Sequence, residues 1–378
     1  MENKICIYAI CKNEINFVHQ WIDNMSEADY IVVLDTGSTD GTYEVLKNDP
    51  RITKVKQKKY KNFRFDVARN ESLKLVPEDA NILFCTDFDE LLEPGWGNIL
   101  RNSWTEQCWR GKYTYVWSHT DAGNPGVTFT YDKIHRPGYY WRFAVHEVLA
   151  LTNDMEETID LEEHGPEGTH VADYGNSIVL HHYPIDIEHR NYLPLLLTRF
   201  EENPEEAYSS YLLGREYMML GPDYFDEALK YFNICLQVPT IDVYSAVKYT
   251  VLGYIGAIHV DRQIYPEAIM YYHKQLQIDN THREPYTWLA EVYSRLGHHQ
   301  IAIYYIEECV FKRCYRHMDW SEQAPVWNEK PYDILANSYY QLGDSKTALR
   351  YTLEALKLAP NDTRLQGNYL AILKEIEQ

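Results

Sequence analysis

The sequence of 378 residues has no apolar run long enough to form a membrane-spanning helix. Its longest apolar stretches, such as Ile5 to Cys11 and Tyr30 to Leu34, fall well short of the roughly 18 apolar residues that such a helix needs. The short apolar run near the N-terminus leads into Lys12, Asn13 and Glu14 without a small-residue cleavage site, so no signal peptide is predicted. We therefore expect a cytoplasmic protein with no membrane span.

Cysteine, glycine and proline are all scarce. The seven cysteines form no C-x-x-C pair, so neither a disulfide framework nor a structural zinc site is expected. Only 18 glycines and 16 prolines are present, which excludes collagenous and low-complexity chains. We expect the chain to fold along its whole length, and its length favours two domains.

Positive charge is also in deficit, with 36 Lys and Arg against 56 Asp and Glu and a formal net charge of −20. Such a chain would be repelled by a duplex phosphate backbone, so general nucleic-acid binding is not expected. The charge is unevenly spread, because residues 51–150 carry 15 basic and 12 acidic side chains, whereas residues 151–206 carry 2 and 14. The more basic region suits a small anionic ligand, although lysines on a solvated sheet edge would give the same balance.

Hydrophobic periodicity divides the sequence into two halves. The first 200 residues alternate short apolar runs with helical patterns, which is typical of a sheet covered by crossover helices and indicates an α/β domain. The predicted strands are Ile5 to Ile10, Tyr30 to Asp35, Lys54 to Lys58, Asn81 to Cys85, Lys112 to Ser118 and Ser177 to His182. The predicted helices are Glu14 to Met25, Thr42 to Asn48 and Phe65 to Val76. From about residue 190 the period becomes 3.6 residues, which predicts an all-α region.

Small and aromatic residues recur in the second half, and the alanines at 228, 268, 302 and 348 are 40, 34 and 46 residues apart. The shortest interval is the length of a tetratricopeptide repeat, and the longer ones indicate insertions between repeats. In that repeat, small residues let the two helices of each unit approach closely. The matching positions are Leu213, Gly214, Tyr217 and Ala228; Ile255, Gly256 and Ala268; Leu289, Ala290, Tyr293, Gly297 and Ala302; and Leu335, Ala336, Tyr339, Gly343, Ala348 and Pro360. We assign residues 1–204 to the α/β domain and residues 205–378 to a solenoid of about four repeats.

A solenoid of this kind offers a concave face to an extended peptide or another protein. The alternative is that the repeats only brace the first domain or form a homodimer. The many tyrosines of this half fit either interpretation, because their usual role in such repeats is packing between helices.

The first candidate site motif is the loop Asp35-Thr36-Gly37-Ser38-Thr39-Asp40-Gly41-Thr42, between a predicted strand and a predicted helix. It places a carboxylate at the carboxyl end of the sheet, where α/β proteins bind ligands. A glycine turn with a helix cap explains the same residues without a ligand.

The second motif is Asp87-Phe88-Asp89-Glu90, which directly follows an apolar run. In an extended chain Asp87 and Asp89 would point the same way, with Phe88 packing behind them. Paired carboxylates suit a hard divalent cation that also binds the oxygens of a diphosphate. Taken alone, a D-x-D sequence is more often a solvated turn than a metal site.

The order of the motifs carries more information than any one of them. Four segments together resemble the nucleotide-sugar half of a family 2 glycosyltransferase of GT-A fold. They are the strand Ile5 to Ile10 with Lys12-Asn13-Glu14, the Asp35 loop, the segment Phe65 to Asn70, and Asp87-Phe88-Asp89-Glu90. Later segments are similar to a subset of that family with tetratricopeptide repeats. These segments are Arg136 with Trp141 and Val145-His146-Glu147, then His182-Tyr183, and then Arg190-Asn191 with Leu195-Leu196. This subset includes transferases that glycosylate peptides, such as bacteriocin S-glycosyltransferases, and others that act on lipooligosaccharide.

The resemblance implies a GT-A domain with a mostly parallel, Rossmann-like sheet and a nucleotide-sugar donor, with UDP as the expected nucleotide. Asp35 would contact the base, Asp87 the ribose, and Arg69 would lie near the diphosphate. Relatives often have two acidic residues where this chain has Asp35-Thr36, so the residue that reads the base stays open. The implied donor-binding set is Ile10, Asn13, Glu14, Asp35, Arg69, Asp87, Phe88 and Arg136.

The resemblance also implies a divalent cation, Mn²⁺ or Mg²⁺, bound by Asp89 with His182 completing the metal shell. Glu147 is the expected general base of an inverting transfer. We expect the repeats to select the acceptor, with a peptide or protein favoured. Two alternatives remain at this stage: a transferase that acts on lipooligosaccharide or another glycan, and a non-catalytic protein in which the first domain supports a peptide-binding solenoid.

Overall fold

The computed structural model describes residues 2–119, 123, 125–151, 166, 168–184, 191–242, 244–315 and 323–377. The chain divides into two compact units, Met1–Arg199 and Phe200–Gln378. Among the residues described, no helix is both long enough and apolar enough to cross a membrane.

The N-terminal unit combines a large sheet with helices. Its strands are β1 (Ile5–Cys11), β2 (Tyr30–Asp35), β3 (Lys54–Gln57), β4 (Ile82–Cys85), β5 (Glu90–Leu92), β6 (Cys108–Val116), β7 (Thr128–His135), β8 (Tyr140–Arg142), β9 (Val148–Ala150), β10 (His170–Asp173) and β11 (Val179–His182). Its helices are α1 (Val18–Met25), α2 (Thr42–Asn48), α3 (Phe65–Leu73) and α4 (Trp96–Ser103), and α5 (Leu193–Glu202) begins near its end.

The main sheet has the order β3-β2-β1-β4-β7-β6-β11-β5, with β10 also paired to β6. Strands β3, β2, β1 and β4 are parallel neighbours, because each connection between them crosses over through a helix. Strand β7 is antiparallel to β4 and β6, and β11 is parallel to β6. The predicted α/β class with a mostly parallel sheet is therefore confirmed.

Both faces of the sheet are covered, so β1 is buried over its whole length. Alternate residues of β1 enter two separate cores, as the period of a strand requires. One core contains Ile5, Ile7 and Ala9 with side chains of α1, and the other contains Cys6, Tyr8 and Ile10 with Ala68 of α3. A strand that is buried on both faces is expected to be apolar without alternation.

The parallel register brings the carboxyl ends of β1, β2, β3 and β4 to one edge of the sheet. Strands β6 and β11 end at the same edge because two antiparallel steps, from β4 to β7 and from β7 to β6, restore the direction of β4. Loops that are far apart in sequence therefore meet there. In open α/β sheets ligands bind at this edge.

The C-terminal unit is helical over its described residues. Four helix pairs follow one another, and a last helix follows them. The pairs are Ala207–Met219 with Phe225–Gln237, Ser245–Asp261 with Tyr265–Ile278, Arg283–Arg295 with His299–Tyr304 and its π-helical continuation Tyr305–Val310, and Lys330–Gln341 with Ser345–Leu358; the last helix is Thr363–Ile376. A short helix, Ala324–Trp327, precedes the fourth pair.

Small residues let the paired helices approach, as the repeat pattern predicts. A Cβ atom added at Gly214 would lie 2.4 Å from Cδ1 of Phe232, and one added at Gly256 would lie 2.6 Å from Cε1 of Tyr272. The aromatic ring of one helix thus lies against the backbone of its partner. The solenoid predicted from the sequence is confirmed.

Candidate active site

The loop after β2 is built around the buried carboxylate of Asp35. Its Oδ1 accepts hydrogen bonds from the backbone N–H groups of Gly37 and Ser38, both at 2.8 Å, and from the Gln57 amide at 3.0 Å. Gly37 has a φ of +119°, which glycine adopts without steric cost. The second oxygen, Oδ2, lies 3.5 Å from Cys11 Sγ. Asp35 therefore holds the shape of its own loop at the carboxyl edge of the sheet.

Asn13 links the loop after β1 to the loop after β2. Its φ of 61° lies in the left-handed region, which asparagine tolerates better than most residues. The Asn13 N–H donates to Ser38 Oγ, and the N–H of Thr39 donates to Asn13 Oδ1, both at 2.8 Å. The N–H of Glu14 donates to Thr42 Oγ1 at 2.8 Å. The structure thus brings Asn13 and Glu14 of the predicted donor set to the Asp35 loop.

Two other residues of the predicted donor set have buried side chains. Phe88 is 3% exposed and stacks on Trp21, with ring centroids 4.2 Å apart. Ile10 is 8% exposed and belongs to the core beside α3. Their backbones reach the carboxyl edge, but their side chains anchor that edge to the core.

Asp87 and Asp89 do not lie in extended backbone, which corrects the geometry predicted from their spacing. Strand β4 ends at Cys85, and the next residues form a turn in which the Glu90 N–H donates to the Asp87 carbonyl at 3.2 Å. The Glu90 carboxylate accepts the Asp87 N–H at 2.8 Å and stabilises that turn. Side chains two residues apart share a face only in extended backbone, so these two carboxylates reach different partners.

Asp87 belongs to a charge network centred on Arg69. The Arg69 guanidinium donates from Nη2 to the two Asp87 oxygens at 3.0 and 3.3 Å, and from Nη1 to Cys85 Sγ at 2.9 Å. Its Nε donates to the Glu147 carboxylate. All three nitrogens of Arg69 are engaged and its side chain is 5% exposed. Arg69 thus lies beneath the carboxyl edge, where it orients Asp87 and Glu147.

Lys133 of β7 is a site residue that the sequence did not indicate. Its ammonium lies 3.1 Å from Asp87 Oδ2 and 3.4 Å from Glu90 Oε1. The side chain is 6% exposed, and the Tyr115 hydroxyl donates to the same Glu90 oxygen at 3.1 Å. Asp87 is therefore held between two cations, Arg69 and Lys133.

This arrangement shifts the pKa values of the network. Burial alone would raise the pKa of Asp87, but Arg69 and Lys133 outweigh burial and hold that pKa well below its usual range. Burial alone would lower the pKa of Lys133, but Asp87 and Glu90 raise it well above its usual value. Burial raises the pKa of Glu90, which Lys133 offsets only in part. Asp87 and Lys133 are thus both ionised at neutral pH.

Asp89 and His182 meet at the carboxyl edge from β4 and β11. The His182 Nε2 lies 3.2 Å from Asp89 Oδ2. The His182 Nδ1 donates to the Trp117 carbonyl at 3.1 Å, so the ring presents Nε2 to Asp89. Partial burial lowers the pKa of His182, but the Asp89 carboxylate outweighs burial and raises that pKa.

This pair has the chemistry of a divalent-cation site. A metal-binding histidine usually donates its other ring N–H to a carbonyl or carboxylate, as His182 does here. Two adjacent ligands of an octahedral ion, each about 2.1 Å from it, lie about 3 Å apart, and the 3.2 Å separation of the two atoms fits that spacing. Within the part of the chain that the structure describes, no group of three or more His, Cys, Asp or Glu is placed to hold a metal ion. Asp89 and His182 would therefore share the ion with water and substrate oxygens, as Mg²⁺ sites commonly do.

Glu147 lies in a strained loop between β8 and β9. Two non-glycine residues of this loop have positive φ values, Phe143 at 75° and His146 at 48°. The guanidinium of Arg199 donates to the carbonyls of Val145 at 3.1 Å and His146 at 2.7 Å, and it lies 3.8 Å from the centre of the Phe143 ring. Such strain persists only where the surrounding structure enforces it. Buried Arg199, which the sequence did not indicate, thus positions the loop that carries Glu147.

Arg136 is the one predicted donor residue that the structure places away from this cluster. Its guanidinium donates to the backbone carbonyls of Cys108 at 2.6 Å and Thr105 at 2.8 Å. It follows β7, which runs antiparallel to β4 with His135 opposite Leu83. Because of that direction, Arg136 lies toward the opposite edge of the sheet from Asp87, and it anchors the start of β6.

Comparison with known families identifies both units. Residues 6–108 match the model of the family described as Glycosyl transferase family 2, and residues 330–362 match the model of the Tetratricopeptide repeat. The first match includes the Asp35 loop, Arg69 and Asp87-Phe88-Asp89. The chain therefore carries a family 2 glycosyltransferase domain followed by tetratricopeptide repeats, and it is a glycosyltransferase.

Similar solved structures are tetratricopeptide proteins. The protein TTC0263 of Thermus thermophilus shares 20% identity over 48% of this chain and 88% of its own, with a TM-score of 0.33. YrrB, described as a TPR protein with an unusual peptide-binding site, shares 16% identity over 48% of this chain and 84% of its own, with a TM-score of 0.36. The first TPR domain of human RPAP3 shares 22% identity over 34% of this chain and 92% of its own, with a TM-score of 0.29. No curated protein matches the chain.

Proposed function

We propose that the protein transfers a sugar from a UDP-sugar to a peptide or protein acceptor, with a divalent cation bound by Asp89 and His182. The observation that carries the proposal is the 3.2 Å approach of these two side chains, one from the turn after β4 and the other from the end of β11. The Trp117 carbonyl accepts the Nδ1 proton of His182, so Nε2 is the ring nitrogen that faces Asp89.

The donor would lie along the carboxyl edge of the sheet. We propose that its base is contacted at the Asp35 loop and that Asp87 binds the ribose. The Asp87 side chain is 33% exposed, and the two cations that hold it keep it ionised and correctly oriented. Asn13 and Glu14 border the same edge, and they would contact the donor together with the Asp35 loop and Asp87.

A bound Mn²⁺ or Mg²⁺ would neutralise the charge that develops on the departing nucleoside diphosphate. The protein's own residues must then place the acceptor and take its proton. We propose Glu147 as the general base, acting through Oε2, because Arg69 occupies Oε1. The Arg199 contacts of its loop would hold this carboxylate in place during the in-line attack of an inverting transfer.

The repeats would bind the acceptor. The C-terminal unit contains a cavity of about 320 Å³ that opens between three of its helix pairs. Its lining combines apolar and aromatic side chains with Glu291, and the lining includes Met218, Tyr254, Tyr272, Trp288 and Val292. An apolar groove with few polar groups suits side chains of an extended peptide.

The donor proposal is tested by thermal unfolding of the full chain with a panel of nucleotide sugars, with and without Mn²⁺. A ligand that binds only the folded state raises the unfolding temperature. We expect UDP-sugars with Mn²⁺ to raise it, and the same sugars with a chelator to raise it less. Equal stabilisation by all nucleotide sugars, or by none, would contradict the proposed donor and metal.

The acceptor proposal is tested in the full chain with Trp288→Ala. This variant should keep donor binding and slow donor hydrolysis, while transfer to peptide acceptors falls. Leu370→Ala, which removes a side chain that is 63% exposed at the end of the unit, is the matched control. An equal rate of transfer in wild type and Trp288→Ala would assign the acceptor to a different surface.

A further inference from the structure

An exposed aromatic ring stands beside the Asp89–His182 pair. Along one face of β6 and the residue after it, exposure rises from 0% at Tyr113 to 5% at Tyr115 and 46% at Trp117. Trp117 is the one exposed tryptophan among the described residues. Core packing therefore explains Tyr113 and Tyr115 and leaves the Trp117 ring unexplained.

The backbone of Trp117 is fixed although its ring is exposed. Its carbonyl accepts from His182 Nδ1 at 3.1 Å, and its N–H donates to the Val127 carbonyl at 2.9 Å. The indole and imidazole rings of Trp117 and His182 lie 6.3 Å apart with an angle of 28° between their planes. The indole is thus held at a defined distance from the candidate cation site.

A second exposed apolar side chain lies beside Trp117. Val127 is 51% exposed, and its carbonyl accepts the Trp117 N–H at 2.9 Å. Neighbouring exposed apolar side chains beside a polar site offer a surface that a ligand can cover.

A sugar ring has the chemistry to cover this surface. One face of a pyranose presents C–H groups, which pack on the electron-rich face of an aromatic ring. In a nucleotide sugar the ring is joined directly to the diphosphate, so it lies within about 6 Å of a cation that binds the diphosphate oxygens. The Trp117 ring lies beside the His182 ring, with centroids 6.3 Å apart, so the indole is within reach of a sugar joined to that diphosphate.

We propose that Trp117 is the stacking platform for the sugar ring of the donor. This inference rests on the proposed donor and cation sites, and it adds a residue that contacts the sugar and influences which sugar is bound. It predicts that sugar selectivity depends on the face that lies on the indole. An axial hydroxyl on that face would lift the ring from the indole and weaken binding.

The test compares UDP with UDP-glucose, UDP-N-acetylglucosamine and UDP-galactose, each titrated calorimetrically into the full chain with Mn²⁺. In wild type, the preferred UDP-sugar should bind more tightly than UDP. Trp117→Ala should lower the affinity for that UDP-sugar by about tenfold, the loss expected for a stacked aromatic contact. Its affinity for UDP should change by less than about twofold. Trp117→Phe should recover most of the loss because it keeps a flat ring, and Leu370→Ala is the control for loss of an exposed apolar side chain.

The outcomes separate this inference from the proposed function. If wild type binds UDP with Mn²⁺ and Trp117→Ala leaves UDP and the UDP-sugar unchanged, the platform is refuted and the donor site stands. If Trp117→Ala lowers the affinities for UDP and for the UDP-sugar equally, Trp117 supports His182 and does not bind the sugar. If wild type binds none of the four compounds, the platform and the donor site are both overturned.

Discussion

The guanidinium of Arg69 binds the carboxylate of Glu147, and it also holds Asp87 at 3.0 Å. Arg69 lies in α3, whereas Glu147 lies in the strained loop between β8 and β9. One buried cation therefore sets the positions of the residue proposed to bind ribose and of the proposed base. A displacement of Arg69 would therefore move both of these carboxylates.

Replacing Arg69 should destabilise the whole N-terminal unit. In Arg69→Met, Glu147 loses its partner and Asp87 keeps only Lys133, so we expect a loss of about 3 kcal/mol in the free energy of unfolding. Urea denaturation of the full chain measures it. Arg364→Met is the matched control, because Arg364 pairs with Asp333 and is 56% exposed; it should cost less than about 1 kcal/mol. Equal costs for the two variants would show that the Arg69 network is not buried in solution.

Glu147→Gln separates the two roles of this carboxylate. The glutamine amide oxygen can still accept from Arg69, so the loop should keep its position and nucleotide-sugar binding should stay within about twofold. Transfer should fall by about a hundredfold or more, the usual contribution of a general base. Steady-state kinetics with a calorimetric donor titration measure both effects. A parallel loss of binding and transfer would make Glu147 a partner of Arg69 alone.

Stability should fall below pH 6.5 because of His135. This histidine is fully buried, and burial lowers its pKa from 6.5 to about 3. Its ring is neutral, since the Tyr8 hydroxyl donates to Nε2 and Nδ1 donates to the Arg136 carbonyl, both at 2.7 Å. The unfolded chain takes up the proton first, so the stabilisation is complete above pH 6.5 and is lost as pH falls toward 3.

The measurement is urea denaturation at pH 6.5 and at pH 4.5. Between these two pH values the free energy of unfolding of wild type should fall by about 2 kcal/mol more than that of His135→Gln. Each pH unit costs about 1.4 kcal/mol per proton taken up on unfolding. Glutamine offers a donor and an acceptor but does not titrate. Identical pH slopes for the two proteins would mean that His135 is not held neutral.

Two glycine substitutions in the repeats should act in opposite directions. Gly256→Ala places a Cβ 2.6 Å from Tyr272, and such overpacking should cost about 1–3 kcal/mol. Gly367 lies in the last helix with nothing within 4 Å of an added Cβ, so Gly367→Ala should stabilise by about 0.5–1 kcal/mol. Thermal unfolding of both variants checks the helix spacing. A neutral Gly256→Ala would mean that this helix pair is looser than described.

Strong local signals made the central strands predictable. β1 and β2 are continuous apolar runs, and α2 begins and ends at the predicted residues Thr42 and Asn48. The helix predicted from Glu14 begins at Val18, because Asn13 and Glu14 are held by the Asp35 loop. β7 escaped prediction since its sequence, TFTYDKIH, mixes polar and apolar residues on a strand that carries Lys133 into the site.

The site could be predicted only where its residues belong to motifs. Asp35, Asp87 and Asp89 were indicated by motifs at the ends of predicted strands and His182 by the family resemblance, and the structure brings all four to one edge. Lys133 and Arg199 carry no such signal, because their role comes from long-range contacts that no local pattern records. The extended backbone expected at Asp87 and Asp89 was wrong, because a backbone hydrogen bond and the Glu90 side chain hold these residues in a turn.

The most direct test of the proposed mechanism is the affinity of UDP for the full chain with Mn²⁺ and with a chelator. Wild type should bind UDP roughly tenfold or more tightly with Mn²⁺, and so should Asp79→Asn, whose carboxylate pairs with Lys4 and is 53% exposed. Asp89→Asn should bind UDP equally weakly with and without Mn²⁺ while keeping the wild-type unfolding temperature. If Asp89→Asn kept the full Mn²⁺-dependent gain in UDP affinity, Asp89 would not hold the cation and the proposed mechanism would be wrong.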